Sequence, residues 1–154
     1  MQNQIKWRQH LENAREHLKI ADRMAYVSLT ILKDNRLLIK ILQELADSVV
    51  ELIKAFLYYE HAFKRVKLYK TPQMNLKTFK EKIALRYLDK KDIINLIKIL
   101  KINKKHEHAS LEFVRRDKFV IFLGDTYEII DVNKIREFLV CVKRSIESFP
   151  EKFL

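Results

Sequence analysis

The sequence predicts a mainly α fold, an antiparallel bundle of about five helices with a small β-hairpin inserted before the last helix. Three observations lead there. The 154 residues contain one Gly and two Pro, while 48% are apolar or aromatic, which leaves little material for the many tight turns of an all-β fold. Leu42, Leu45, Val49, Leu52, Phe56, Tyr59, Phe63 and Val66 recur at alternating spacings of three and four, so one side of a long helix stays apolar for about seven turns. Between residues 111 and 130 that period gives way to short runs of β-branched and aromatic residues, the signature of strands. A chain of this length is one ordinary domain, read here as a single unit over residues 1–154, and it can bury a core without disulfides or a structural metal.

In chain order, a first helix is expected from about Gln4 to Leu32, with Trp7, Leu11, Ala14, Leu18, Ala21, Ala25 and Leu32 as its seam. The alanines allow a neighbouring backbone to come close. Lys33-Asp-Asn-Arg36 reads as a polar turn short enough to make the first two helices an antiparallel hairpin. The second helix is expected from Arg36 to Lys67. Ala46, Val50, Ile53 and Leu57 widen its apolar stripe into the broader face of a globular bundle. Its acids come early and its bases late, as the helix dipole favours, and Glu60 with Lys64 has i, i+4 spacing. Pro72 bars helix at Thr71. Asn75 or Thr78 is expected to cap a third helix through Leu76, Phe79, Ile83 and Tyr87, and Asp89 a fourth through Ile93, Leu96, Ile97 and Leu100; one kinked helix from Leu76 to Ile102 is the alternative. Strands follow at 111–115, 119–123 and 127–130, with Gly124-Asp125 suited to a two-residue hairpin turn. Asp131 caps a last helix with the seam Val132, Ile135, Leu139, Val142, Ile146 and Phe149, stopped by Pro150.

The net charge of +11 is concentrated. Residues 64–105 hold fourteen Lys or Arg against three acids, Glu81, Asp89 and Asp92, and the remaining residues carry seventeen of each sign. Lys64, Arg65, Lys67, Lys70, Lys77, Lys80, Lys82, Arg86, Lys90, Lys91, Lys98, Lys101, Lys104 and Lys105 have the chemistry of the phosphate contacts that dominate nucleic-acid affinity. Tyr58, Tyr69 and Tyr87 offer faces on which bases stack. RNA is favoured over DNA because no helix-turn-helix or other major-groove reading pattern occurs. The bland alternative is a solvated helix face or a surface for an acidic protein.

His106 and His108, in Lys104-Lys-His-Glu-His-Ala-Ser110 before Arg115-Arg116, have the residue types of a metal-independent RNase: imidazoles as general acid and base, cations for the developing phosphate charge. A polar connector in a basic protein carries the same residues by composition. His-x-His with Glu107 or Glu112 lacks a third ligand at a specific spacing, so no metal is expected, and no cofactor either. His10 and His17 read as surface residues. The single Cys141, between Val140 and Val142, excludes an internal disulfide framework and reads as a buried, quiet thiol. No apolar run approaches the roughly 20 residues of a membrane span, and the N-terminus lacks a signal-peptide pattern. A cytoplasmic protein without a membrane partner is the expectation.

The first helix, its short turn and the second helix reading Leu42-Gln-Glu-Leu-Ala-Asp-Ser-Val-Val-Glu-Leu-Ile-Lys-Ala-Phe-Leu57 resemble the long antiparallel pair of HEPN domains, particularly small archaeal proteins of that kind with no assigned role. The likeness covers about residues 5–66 and the closing helix at 132–149. It implies a helical hairpin that dimerises through apolar helix faces. Many members are RNases with an Arg, four to six residues, then a His. No Arg here has a His at that distance, and His106 and His108 precede Arg115 and Arg116. The resemblance therefore implies a non-catalytic member, a structural or antitoxin-like partner in a complex, and the basic segment adds the expectation that it binds RNA or another polyanion.

Overall fold

The computed structural model describes residues 2–150, and side chains from Lys6 onward; Met1 and residues 151–154, the ends of the expected unit, lie outside the described residues. Among these residues there are five continuous helices and one three-stranded sheet before the last helix. Helix α1 covers residues 2–32 as Gln2–Arg23, a wide π turn at Met24–Ser28, and Leu29–Leu32. α2 is Leu37–Ala62, α3 covers residues 72–87, α4 is Lys90–Glu107 and α5 is Val132–Glu147. Strands β1 (Leu111–Arg115), β2 (Lys118–Leu123) and β3 (Thr126–Ile130) form an antiparallel meander in the order β1-β2-β3.

α1 and α2 form the expected antiparallel hairpin, and the small residues between them set its closeness. Ser48 is fully buried and donates from Oγ to the carbonyl of Ala14 at 2.7 Å. Trp7, Leu11, Ala14, Ala21 and Ala25 are buried, but Leu32 is 64% exposed and Leu29 is buried instead. The π turn adds a residue to one turn and rotates everything after it, which moves the seam from Leu32 to Leu29. Lys33, at a φ of 52°, then ends the helix in the left-handed region, and the Asp34 carboxylate accepts from the backbone and guanidinium of Arg36.

The second helix stops five residues earlier than expected. Leu42, Leu45, Val49, Leu52, Phe56 and Tyr59 are buried as its seam requires, whereas Phe63 is 43% exposed and Lys64 has a φ of 60°. The break follows Glu60, which turns inward and takes Arg65 rather than Lys64 as its ion partner. α3 starts earlier than expected. Thr71, not Asn75 or Thr78, is the cap, accepting from the Met74 N–H at 3.3 Å, and Pro72 is the first helical residue, where its missing N–H costs nothing. Asn75 instead clamps both backbone groups of Tyr69. α3 and α4 are separate helices because Leu88 and Asp89 are extended; Asp89 holds the N-cap position of α4 without a side-chain cap bond.

The core runs between the hairpin, α4 and α5, closed at one end by an aromatic cluster in which Phe149 lies 4.8 Å from Phe56 and 5.4 Å from Trp7 between ring centroids. Two side chains of α5 fix it to Asp92 of α4, Arg144 through the carboxylate and Cys141 by donating from Sγ to the backbone carbonyl. Arg144 holds the Asp92 carboxylate at 2.8 and 2.5 Å and keeps its pKa below the usual carboxylate range. Beside it, burial pushes the Cys141 thiol up to about 12, the quiet thiol its apolar neighbours predict. Asp131 caps α5 by accepting from the Lys134 N–H at 2.8 Å. The sheet turns one face inward, with Phe119, Ile121 and Ile130 buried. Its β2–β3 turn has Gly124 at a φ of 60°, as the Gly124-Asp125 pair predicts. The β1–β2 turn has Arg116 in the left-handed conformation at 58°.

Candidate nucleic-acid interface

α4 carries an extended basic surface. At 3.6 residues per turn, Lys90, Lys91, Lys98, Lys101, Lys104 and Lys105 fall within an arc of about 140° and extend over about 22 Å of helix. Asp92, Asn95, Leu96, Ile99 and Ile102 face the opposite way and are buried, so the apolar pattern that docks α4 also aligns its lysines outward. No acid of α4 shares the stripe, and Ile94, 65% exposed, lies at its middle. Lys105 is half-buried, with Nζ 2.9 Å from Glu128 on β3, and the other five are exposed.

A second gathering forms where α2 ends. Lys64, Arg65 and Lys67 of the connecting loop and Lys82 of α3 line an open cleft of about 400 Å³ together with Tyr69. Arg65 of this cleft is held by Glu60. This carboxylate is fully buried and receives Arg65 at 3.0 Å, Arg86 at 3.1 Å and the Tyr87 hydroxyl at 2.5 Å. Burial, then the hydrogen bond to Glu60, pushes the Tyr87 phenol up to about 12. Two of the fourteen bases are thus tied to one buried acid, although each remains nearly half exposed. The others do not converge here. Lys77 and Lys80 are exposed on α3, and Lys70 borders an apolar groove with Val50, Leu57 and Leu76.

His106 and His108 are not brought together with Arg115 and Arg116. The His106 ring is held on both sides, Nδ1 at 2.6 Å from Glu112 of β1 and Nε2 at 2.9 Å from Gln43 of α2. His108 is exposed at the end of α4. Arg115 is three residues beyond Glu112 on β1, so the alternation of an extended strand puts the two on opposite faces of the sheet. The arrangement reads as a brace joining α2, α4 and β1.

His10 and His17 have partners on α2, contrary to the expectation of simple surface residues. Both rings lie against α2 and are only partly exposed: His10 Nδ1 contacts Glu51 and stacks on Tyr58, and His17 Nδ1 is 2.7 Å from Glu44. A signal was present, since His10 and His17 are seven residues apart and so are Glu44 and Glu51, matching on antiparallel helices. Among the described residues, His17, Glu44 and Asp47 form one group whose possible ligand atoms lie within 4.8 Å of one another. One imidazole and two carboxylates suit a divalent cation, but an ion-paired helix surface presents the same set. The Asp47 carboxyl is pushed up, by burial first and then by Glu44, Glu107 and Glu51, with His17 opposing. A raised carboxyl pKa means the native state resists the charged form, so its stability contribution is full at low pH and is lost as pH rises through the folded pKa. Asp47→Asn is accordingly expected to raise the thermal midpoint at pH 7 and to leave it little changed at pH 3; a lower midpoint at pH 7 would contradict this.

Neither a family model, a curated protein nor a solved structure matches this chain. No helix is long and apolar enough to cross a membrane among the described residues.

Proposed function

We propose that this chain is a non-catalytic, HEPN-like helical protein that binds RNA through its basic segment, with the outward face of α4 as the main contact. The supporting observation is the stripe itself: five exposed lysines from Lys90 to Lys104 on one side of one helix with no acid of that helix among them, and Lys105 paired with Glu128 at its end. A helix face of this kind lies along a sugar-phosphate backbone and replaces its counterions. Lys64, Arg65, Lys67 and Lys82 form a second positive cluster at the end of α2. The long α1–α2 pair closed by α5 supports the HEPN-like part of the reading. Homodimerisation through apolar helix faces belongs to the same proposal, and Tyr26, Val27 and Ile31 of α1, with Val140 of α5, are exposed apolar residues suited to it.

Hydrolysis receives no such support, because both ring nitrogens of His106 are engaged and the arginines that would complete the site lie across the sheet. The deciding experiment is filter binding of single-stranded and structured RNA at several salt concentrations. Affinity is expected to fall linearly with the logarithm of salt concentration. A flat dependence, or no binding at low salt, would remove the proposal.

A further inference from the structure

The sheet has a second face that is open over part of its width among the described residues, with Val120 buried at its centre. Alternation along the strands puts Phe113 of β1, Val120 and Phe122 of β2, and Tyr127 and Ile129 of β3 on that face. The three aromatic rings form a row across all three strands, Phe113 to Phe122 and Phe122 to Tyr127 both at 5.8 Å between centroids. Phe113 is 37% and Tyr127 59% exposed, large values for aromatic residues on a sheet. An open groove of about 460 Å³ lies over them, within the range of pockets that bury a small aromatic ligand, about 300–1,000 Å³.

The rim of this groove is cationic. Arg115 and Lys118 are cross-strand partners at its edge, and the β1–β2 turn adds Arg116 and Asp117. None of the three cations makes a salt bridge among the described residues. The turn is also pinned to the body of the protein, since Asn35 donates from Nδ2 to the Arg116 carbonyl at 2.9 Å. Aromatic rings on an open antiparallel sheet with unpaired cations beside them are what unstacked bases and their phosphates require. A second copy of this chain fits less well, because a two-fold contact would bring the same positive rim against itself.

We propose that this face is a stacking platform for single-stranded RNA, with bases on Phe113, Phe122 and Tyr127 and the backbone on Arg115, Arg116 and Lys118. This rests on the RNA-binding reading and adds to it a base-contacting surface separate from the α4 stripe. A strand so bound contributes through its bases as well as its charge, so the protein discriminates unpaired from paired RNA.

The test uses the full chain and two probes, an oligouridine of about twelve nucleotides and an abasic ribose-phosphate strand of the same length. Phe113→Ala with Tyr127→Ala is expected to weaken oligouridine binding about tenfold or more and to leave abasic binding unchanged. The swap Phe113→Tyr with Tyr127→Phe should keep oligouridine affinity, and circular dichroism should show every variant folded. If wild-type protein binds both probes and the alanine pair alters neither, the platform is overturned while the RNA-binding reading stands. Loss of self-association with RNA affinity intact would also overturn it, marking the face as a protein contact. Failure of the wild type to bind either probe at low salt overturns both proposals.

Discussion

Replacing Arg65 and Arg86 together with methionine is expected to lower unfolding free energy by about 3–5 kcal/mol, whereas either change alone costs about 1 kcal/mol. The reason is the asymmetry at Glu60. Its side chain is fully buried while those of Arg65 and Arg86 are 42% and 49% exposed, so one arginine still compensates the acid and none leaves a buried charge alone. The double loss therefore exceeds the sum of the single losses, which urea unfolding of the three variants measures directly. Glu60→Gln in the double background should recover much of the loss; additive single losses without such recovery would contradict the account. Tyr87 gives the same network an alkaline limit. Its folded pKa of about 12 lies above the unfolded value of about 10, so its contribution is complete below pH 10 and is lost as pH rises through 12. Tyr87→Phe should remove that part of the alkaline destabilisation.

The second large effect concerns binding. Changing Lys91, Lys98, Lys101 and Lys104 to Gln is expected to weaken RNA binding by roughly several hundredfold near 0.1 M salt, the consequence of four lost single-strand phosphate contacts. Lys19, Lys40, Lys54 and Lys143 are exposed on α1, α2 and α5, so replacing those four removes the same charge from other surfaces. Competition binding with the two variants separates a located interface from the effect of net charge. All eight residues are exposed, so both proteins should keep wild-type unfolding curves within about 0.5 kcal/mol.

The architecture was legible because apolar spacing survives folding almost unchanged: the seam from Leu42 to Tyr59 is buried, and Gly124 and Asp131 perform the roles their chemistry suggests. Element ends were less legible. The π turn at 24–28 is backbone geometry with no residue signature, and it moved the last buried position of α1 from Leu32 to Leu29. Pro72 suggested a stop, but the missing N–H serves equally well at a helix start. The i, i+4 relation of Glu60 to Lys64 points to the wrong partner, although its position four residues after buried Phe56 places it on the apolar face. Its partners come from a loop and from another helix, which local spacing does not reveal.

The basic segment was visible as composition, and only its distribution depended on the fold. The helical spacing that buries Leu96, Ile99 and Ile102 also gathers the lysines of α4, whereas Arg65 and Arg86 are drawn to Glu60. The aromatic platform could have been read from the alternation of Phe113, Phe122 and Tyr127. The signal needed the register between strands, since Phe122 pairs with Leu111 on one side and Tyr127 on the other.

The slope of log affinity against log salt concentration tests most directly whether α4 is a phosphate-binding surface. For single-stranded RNA each phosphate contact contributes about 0.7 to that slope, so the four α4 substitutions should flatten it by roughly 3. The scattered set of four should leave it near the wild-type value. Equal slopes for the two variants would mean that charge acts without location, and would contradict the assignment of α4 as the interface.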